Sequence, residues 1–266
     1  MVLSMDRWCG KVAVVTGASA GIGVDIVQQL VEEGVLVVGV ARRVERVEEL
    51  AKKLQGKKGS LYALKADISV EEDILNAFKW TEKNVGPVHI LINNAGVLQD
   101  TNLIDGETKK WKAILDVNVL GLCIATREAV RCMRANNIDG HIIHINSFSG
   151  HIVNYFPYMN VYAASKHAVT ALTETLRSEL NTIGSNQGDG KYSKKSLEEE
   201  SVSPGVVATE IDQTNNIYLD EKALEEKKSR AALATSDCAD AVIYALSTSP
   251  NCQVHDLIIK PIGEKF

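Results

Sequence analysis

The chain is short of several things, and each shortage removes a class of answers. Cysteine occurs only at Cys9, Cys123, Cys132, Cys238 and Cys252, an odd and scattered set with no CxxC pair. That excludes a disulfide framework or a zinc knuckle and predicts reduced thiols in a cytoplasmic protein. The 6 histidines include no HExxH-type spacing, so no metal site is expected. No apolar run reaches the about 18 residues of a membrane span, and the opening MVLSMDRWCGK lacks the apolar core of a secretory signal. Positive charge is in the minority: 29 Lys and Arg face 34 Asp and Glu, giving a net charge of -5 and a pI near 5.7. This balance argues against nucleic acid or an anionic membrane as the main partner.

What remains is an ordinary globular composition, with 266 residues, 45% hydrophobic and 24% charged, enough for one large domain. Short runs rich in Val, Ile and Leu, at 11–16, 35–41, 60–66, 88–93, 141–146 and 254–260, alternate with helix-like stretches. The latter lie near 21–33, 43–55, 70–84, 107–134, 161–183 and 236–248. Near-continuous apolar runs suit strands buried on both sides. The alternation therefore predicts one α/β domain over 1–266, Rossmann-type and doubly wound, with a mostly parallel seven-stranded sheet and helices on both faces. The stretch 184–203, GSNQGDGKYSKKSLEEESVS, does not conform. Topology wants a buried strand just before Pro204, where Glu198, Glu199 and Glu200 stand in a row. Three carboxylates left unpaired in a central strand would carry a heavy desolvation cost. The expectation is a very short strand, near 201–203, or a mobile loop.

The first run ends in TGASAGIG, with Gly17, Ser19, Ala20, Gly21, Ile22 and Gly23. A glycine-rich turn between a strand and a helix lets backbone approach a phosphate, and the helix N-terminus offers free N–H groups. Its Gly-x-x-x-Gly-x-Gly spacing widens the first gap of the GxGxxG fingerprint. An ordinary tight turn is the plainer reading, and the position after the first strand favours the nucleotide. At the end of the second run, where an acidic residue would take a ribose 2′-OH, stand Ala41, Arg42 and Arg43. A neutral residue followed by two guanidiniums favours a 2′-phosphate, hence NADP(H), unless both arginines are merely solvated at a helix start. Asp67, followed by Ile68, is a candidate acceptor for the adenine amino group, with helix capping as its alternative. Ser69 could fill that role too, ahead of Glu72. Asn94, Ala95 and Gly96, small residues after the fourth strand, would let backbone lie against the adenine ribose.

Tyr162 precedes Lys166 by one helical turn, so both side chains rise from one helix face. A surface Tyr–Lys pair is commonplace. A free phenol, with a pKa near ~10, is a poor base at pH 7, and a neighbouring ammonium is expected to lower it. Ser147 follows the run HIIHIN and would hold a substrate oxygen against Tyr162. Tyr155 and Tyr158 lack a lysine one turn on and are expected only to line a pocket. His144, inside an apolar strand, reads as a satisfied core residue, not a metal ligand or relay.

TGASAGIG, NNAG, Asn118–Val119, Ser147, YAASK and SPGVVATE, in this order, resemble the short-chain dehydrogenase/reductase superfamily from about Gly10 to Gly263. MDRW, ARRVERVEEL, GHIIHINSFSGH and SKHAVTALTETLRSEL are more similar to the branch holding insect NADP-dependent farnesol dehydrogenases and vertebrate reductases of steroid keto groups. The resemblance implies an enzyme that interconverts an alcohol and its aldehyde or ketone by hydride transfer. In it Tyr162 is the acid/base, Ser147 and Lys166 assist, and Asn118 supports a water linking Lys166 to solvent. Pro204, Gly205, Val207 and Thr209 match the family's loop over the nicotinamide. Leu98, Phe148, Tyr155, Phe156, Met159 and the segment 210–232 would line or cover a mostly apolar cleft, suited to an isoprenoid or steroid. Family members are usually dimers or tetramers built through the long helices 107–134 and 161–183. A competing reading is a catalytically weak scaffold that binds nucleotide, because the charged 184–203 segment replaces a hydrophobic strand of the family.

Overall fold

A computed structural model describes residues 3–153, 159–185, 197–215, 217, 225 and 229–264. Seven strands form one open sheet: β1 Val12–Thr16, β2 Leu36–Ala41, β3 Ser60–Lys65, β4 Val88–Asn93, β5 His141–Ile145, β6 Glu198–Pro204 and β7 Asp256–Ile259. They lie in the order β3-β2-β1-β4-β5-β6-β7, and every pairing is parallel. Around it pack α1 Ile22–Glu32, α2 Val44–Lys53, α3 Glu71–Asn84, α4 Thr108–Leu115, α5 Leu122–Ala135, α6 Asn160–Ser185, the short α7 Ile211–Thr214 and α8 Thr235–Ser247. The expected α/β architecture is the observed one. No helix among the described residues is long and apolar enough to cross a membrane.

The side-chain period of two within each strand divides the core into two layers. Ala13 and Val15 of β1, Ile90 and Ile92 of β4, and Ile143 and Ile145 of β5 face α1 and α8, where Ile26, Leu30, Val242 and Leu246 are buried. Val14, Leu91 and Ile142 face the other way, toward Ile74 and Phe78 of α3 and Ala129 and Met133 of α5. Both faces being covered, the strands read as unbroken apolar runs. The crossovers reverse direction between β1 and β4, and this is the switch point where an open α/β sheet leaves a crevice at the carboxyl ends of its strands.

The acidic run corrects the sequence expectation. Glu198, Glu199 and Glu200 are all buried inside β6, opposite His141, Ile142 and Ile143 of β5, and the strand runs seven residues. The premise of unpaired carboxylates is what fails. Arg7, from the 3-10 turn Asp6–Trp8, reaches Glu198 at 3.2 Å. His141 contacts Glu198 at 3.3 Å and Glu200 more closely. On the opposite face Arg177 of α6 stands 3.5 Å from Glu199 and donates to the Glu199 and His255 carbonyls. Trp8 closes the cluster, its ring edge-on to His141 and beneath the Arg7 guanidinium. Burial disfavours a charge on His141, but its contacts with the Glu198 and Glu200 carboxylates prevail and raise its pKa. Glu199 fares otherwise: neither carboxylate oxygen takes a hydrogen bond among the described residues, and burial pushes its pKa up to about 8 despite Arg177. Residues 186–196 of the nonconforming segment lie outside the described residues.

Candidate active site

A cleft of about 510 Å³ opens at the carboxyl ends of β1, β2, β4, β5 and β6. Its floor is the turn after β1. Thr16 Oγ1 accepts from the backbone N–H groups of Asn94 and Ala95, each at 3.0 Å, while Asn94 Nδ2 donates back to the carbonyls of Thr16 and Gly17. This exchange locks the turn to the end of β4. Gly17 has φ +69° and lies so near β4 that a Cβ there would stand 2.9 Å from the Ala95 Cα. Gly21 also has positive φ, at +55°, and Thr209 packs against it. Glycine is required at both for conformation, and at Gly17 also for space.

The predicted nucleotide residues Gly17, Ser19, Ala20, Gly21, Ile22, Arg42, Arg43, Asp67, Ile68, Asn94, Ala95 and Gly96 line this cleft, as do Pro204, Gly205, Val207 and Thr209. Gly23 does not. A Cβ at Gly23 would fall 2.4 Å from the Gly17 carbonyl oxygen, so its task is to let α1 close on the turn. Arg42 is exposed on the cleft with no ion-pair partner among the described residues. Arg43 is engaged: with Arg46 it holds Glu210, at 3.3 and 2.6 Å. Of these two arginines, Arg42 is the one without an ion pair among the described residues. The Glu210 bridge, invisible in the sequence because the partners stand far apart, ties the loop after β6 to α2.

Asp67 is on the cleft wall, where its Oδ1 accepts from Ser69 N and Oγ at 2.9 and 2.7 Å. It does not cap α3, and neither does Ser69. That helix begins at Glu71 after Val70, with no side-chain cap, and Asp73 reaches back to the Asp67 N–H.

The far wall carries the remaining set. Ser147 is placed by the end of β5, and Tyr162 and Lys166 by the first turns of α6. Lys166 is buried, its Nζ donating to the Ile145 carbonyl at 2.8 Å and standing 5.8 Å from the centre of the Tyr162 ring. Burial lowers its pKa to about 8. Tyr162 corrects an expectation: burial raises its pKa, and hydrogen bonding with Ser147, not the Lys166 ammonium, works against the rise. The phenol is therefore held protonated near neutral pH.

Asn118 is buried in a π-helical stretch, Asp116–Gly121, inserted between α4 and α5. Such wide turns often mark functional sites. Its Oδ1 accepts from Val97 N at 2.8 Å, and its Nδ2 donates to the Val97 carbonyl and to Ser165 Oγ, each at 3.0 Å. Ser165 in turn donates to the Tyr162 carbonyl at 2.7 Å. Asn118 thus pins the loop after β4 to the helix turn that presents Tyr162. Gly96 borders both Asn118 and Lys166, where a Cβ would meet their Oδ1 and Nζ at 3.7 and 3.9 Å, in ordinary contact.

Leu98, Phe148 and Met159 line the cleft, while Tyr155, Phe156 and Tyr158 lie outside the described residues. His144 is the satisfied core residue expected: it meets Thr173 Oγ1 at 3.1 Å, and burial lowers its pKa to about 3. His151, Ser203 and Asp256 also meet. Both Ser203, at 2.9 Å, and Asp256, at 3.2 Å, contact the same ring nitrogen, Nε2, so no serine–histidine–aspartate relay forms. Asn146 and Glu264 are among the cleft residues that the sequence reading missed. Asn146 donates to Thr170 Oγ1 at 2.9 Å, and Glu264 arrives from the end of the chain.

A glycine turn at a switch point, facing a tyrosine, a lysine and a serine across one cleft, defines a dinucleotide-dependent oxidoreductase. The short chain dehydrogenase family matches residues 11–218. The farnesol dehydrogenase of Aedes aegypti is 49% identical over 264 residues, 98% of this chain and 100% of that protein. The human dehydrogenase/reductase SDR family member 11 is 42% identical over 260 residues, covering 97% of this chain and 96% of the relative. Among solved structures, the closed form of a serine dehydrogenase complexed with NADP+ is 27% identical with a TM-score of 0.82, covering 96% of each chain. The chain belongs to the short-chain dehydrogenase/reductase family.

Proposed function

We propose that this protein is an NADP(H)-dependent oxidoreductase that interconverts a hydrophobic alcohol and its aldehyde or ketone, a farnesol-like isoprenoid being the favoured class. The observation that carries the reading is the meeting of Ser147, Tyr162 and Lys166 on one cleft wall opposite the glycine turn. The cleft suits a dinucleotide on its own features: a bare glycine turn at a helix start, and just past β2 a guanidinium, Arg42, with no ion-pair partner among the described residues. Ala41 in place of an acidic residue, together with Arg42, supports a 2′-phosphate. The NADP+ complex of the serine dehydrogenase points the same way.

A bound nicotinamide would supply or accept the hydride. Ser147 holds the substrate oxygen, and Tyr162, protonated near neutrality, gives that oxygen its proton during reduction and takes it back during oxidation. Lys166 carries a positive charge below about pH 8 that stabilises phenolate as it forms. Asn118 acts through Ser165 and Val97 to position Tyr162, and supports water-linked proton supply to Lys166. Leu98, Phe148 and Met159 offer apolar surface to the substrate chain, with Tyr155 and Phe156 assigned there from the sequence. A second copy packing along α4–α5 and α6 would give the homodimer or homotetramer usual in the family. The exposed Leu115 and Leu120 are consistent with that face.

The test is turnover of farnesal, retinal and steroid ketones with NADPH and with NADH. Farnesal reduction preferring NADPH is the expected result. Steroid ketones as the better substrates would move the assignment to the keto-steroid branch. Nucleotide binding without turnover of any would leave a scaffold and overturn the enzymatic reading.

A further inference from the structure

The chain beyond β7 has a place in the cleft that the roles above leave unused. Ile259 pairs with Pro204, and the Gly205 N–H donates to the Ile259 carbonyl at 2.8 Å, so this segment runs beside the turn that follows β6. Lys260 stands 4.0 Å over the ring of Phe148. Gly263, at φ +89°, then turns the chain back, and Glu264 N–H donates to the Pro261 carbonyl at 3.1 Å. The result is that the Glu264 carboxylate lies against Gly205, where a Cβ would fall 2.3 Å from its Oε2 and push it aside. Glu264 lines the cleft, yet Oε2 is shielded and accepts no hydrogen bond among the described residues. An ionised group with a shielded oxygen and no donor is costly, and a bound partner that answers its charge recovers that cost.

β6 lies beside β5, with Val202 opposite Ile145, so Gly205 and Glu264 wall the same end of the cleft as Ser147. A ring that passes hydride to a carbon held by Ser147 and Tyr162 has to occupy that end. The ring is a cation when oxidised and neutral when reduced, so a fixed carboxylate there discriminates between the two forms. We propose that Glu264 is a specificity-determining residue whose carboxylate makes the cleft bind the oxidised dinucleotide in preference to the reduced one. The inference rests on the dinucleotide reading of the cleft. Lys166 brings an opposing positive charge to the same cleft.

The test reads affinities, not turnover. NADP+ and NADPH are titrated separately into the wild-type chain, Glu264→Gln and Glu264→Ala, following protein and nucleotide fluorescence, with thermal melting as a check on folding. Loss of the charge should raise the ratio of Kd for NADP+ to Kd for NADPH by roughly three- to tenfold, the size of a partly shielded charge interaction. Gly205→Ala, which displaces the carboxylate without removing it, should move the ratio the same way. Equal ratios in wild type and both Glu264 variants overturn the inference and leave the proposed function standing. Failure of the wild-type chain to bind either form overturns both.

Discussion

The cleft wall of Ser147, Tyr162 and Lys166 and the ionic cluster around β6 both bury titratable groups, but for opposite reasons. On the cleft wall each group keeps one face toward open space: Lys166 spends a single donor on the Ile145 carbonyl and retains others. In the β6 cluster the groups face one another, and Glu198 and Glu200 are answered by Arg7 and His141 within the protein. A buried polar group that looks outward is available for chemistry. One that is answered internally holds the fold together at a high desolvation cost, and adds nothing at the cleft.

Four experiments press on this contrast. The largest effect expected is from Tyr162→Phe, which removes the proton carrier and should cut kcat by about 10²- to 10⁴-fold while nucleotide affinity is kept. Full activity in that variant would erase the chemical half of the comparison. Next, Arg177→Met takes the shared donor from the Glu199 and His255 carbonyls and should lower unfolding free energy by about 1–3 kcal/mol, the usual cost of leaving a buried acceptor unsatisfied, read by denaturant titration. Arg42→Ala should weaken NADPH by roughly tenfold, the worth of a charge-assisted hydrogen bond, and leave NADH unchanged; an equal loss for both would refute the 2′-phosphate contact.

The smallest effect is the slope of stability with pH, and here the two regions act in different windows. Glu199 has a folded pKa of about 8 against an ordinary 4.5, so the folded chain holds a proton the unfolded chain has released, and stability falls as pH rises across that range. Lys166 has a folded pKa of about 8 against an ordinary 10.5, so the unfolded chain holds the extra proton and stability rises from about pH 8 upward. Glu199→Gln should flatten the melting curve below pH 8, by roughly 2–4 °C per kcal/mol removed, and Lys166→Met should flatten it above. A Tm profile of Glu199→Gln parallel to wild type between pH 5 and 8 would show that Glu199 does not hold the proton.

The two regions also differed in how far they could be read from the sequence. TGASAGIG was legible because a glycine turn, a strand end and a helix start are adjacent in the chain, and Tyr162 and Lys166 because one helical turn brings them to one face. Gly23 marks the limit of that reading, because a glycine that admits a ligand and a glycine that admits a helix leave the same mark. The β6 cluster was illegible because its cations lie at Arg7, His141 and Arg177, far from residues 198–200 in the chain. Three adjacent glutamates read as solvated when their partners are out of view. The bridge from Glu210 to Arg43 and the place of Glu264 beside Gly205 escaped for the same reason.

By itself the sequence determined the parallel α/β sheet and the members of the cleft wall, since strand and helix periodicities and short-range spacing are properties of neighbours along the chain. Only the tertiary structure decided which charges are answered and which face the cleft, because electrostatic energy depends on distances through space between residues as far apart in the chain as Arg7 and Glu198, nearly two hundred positions.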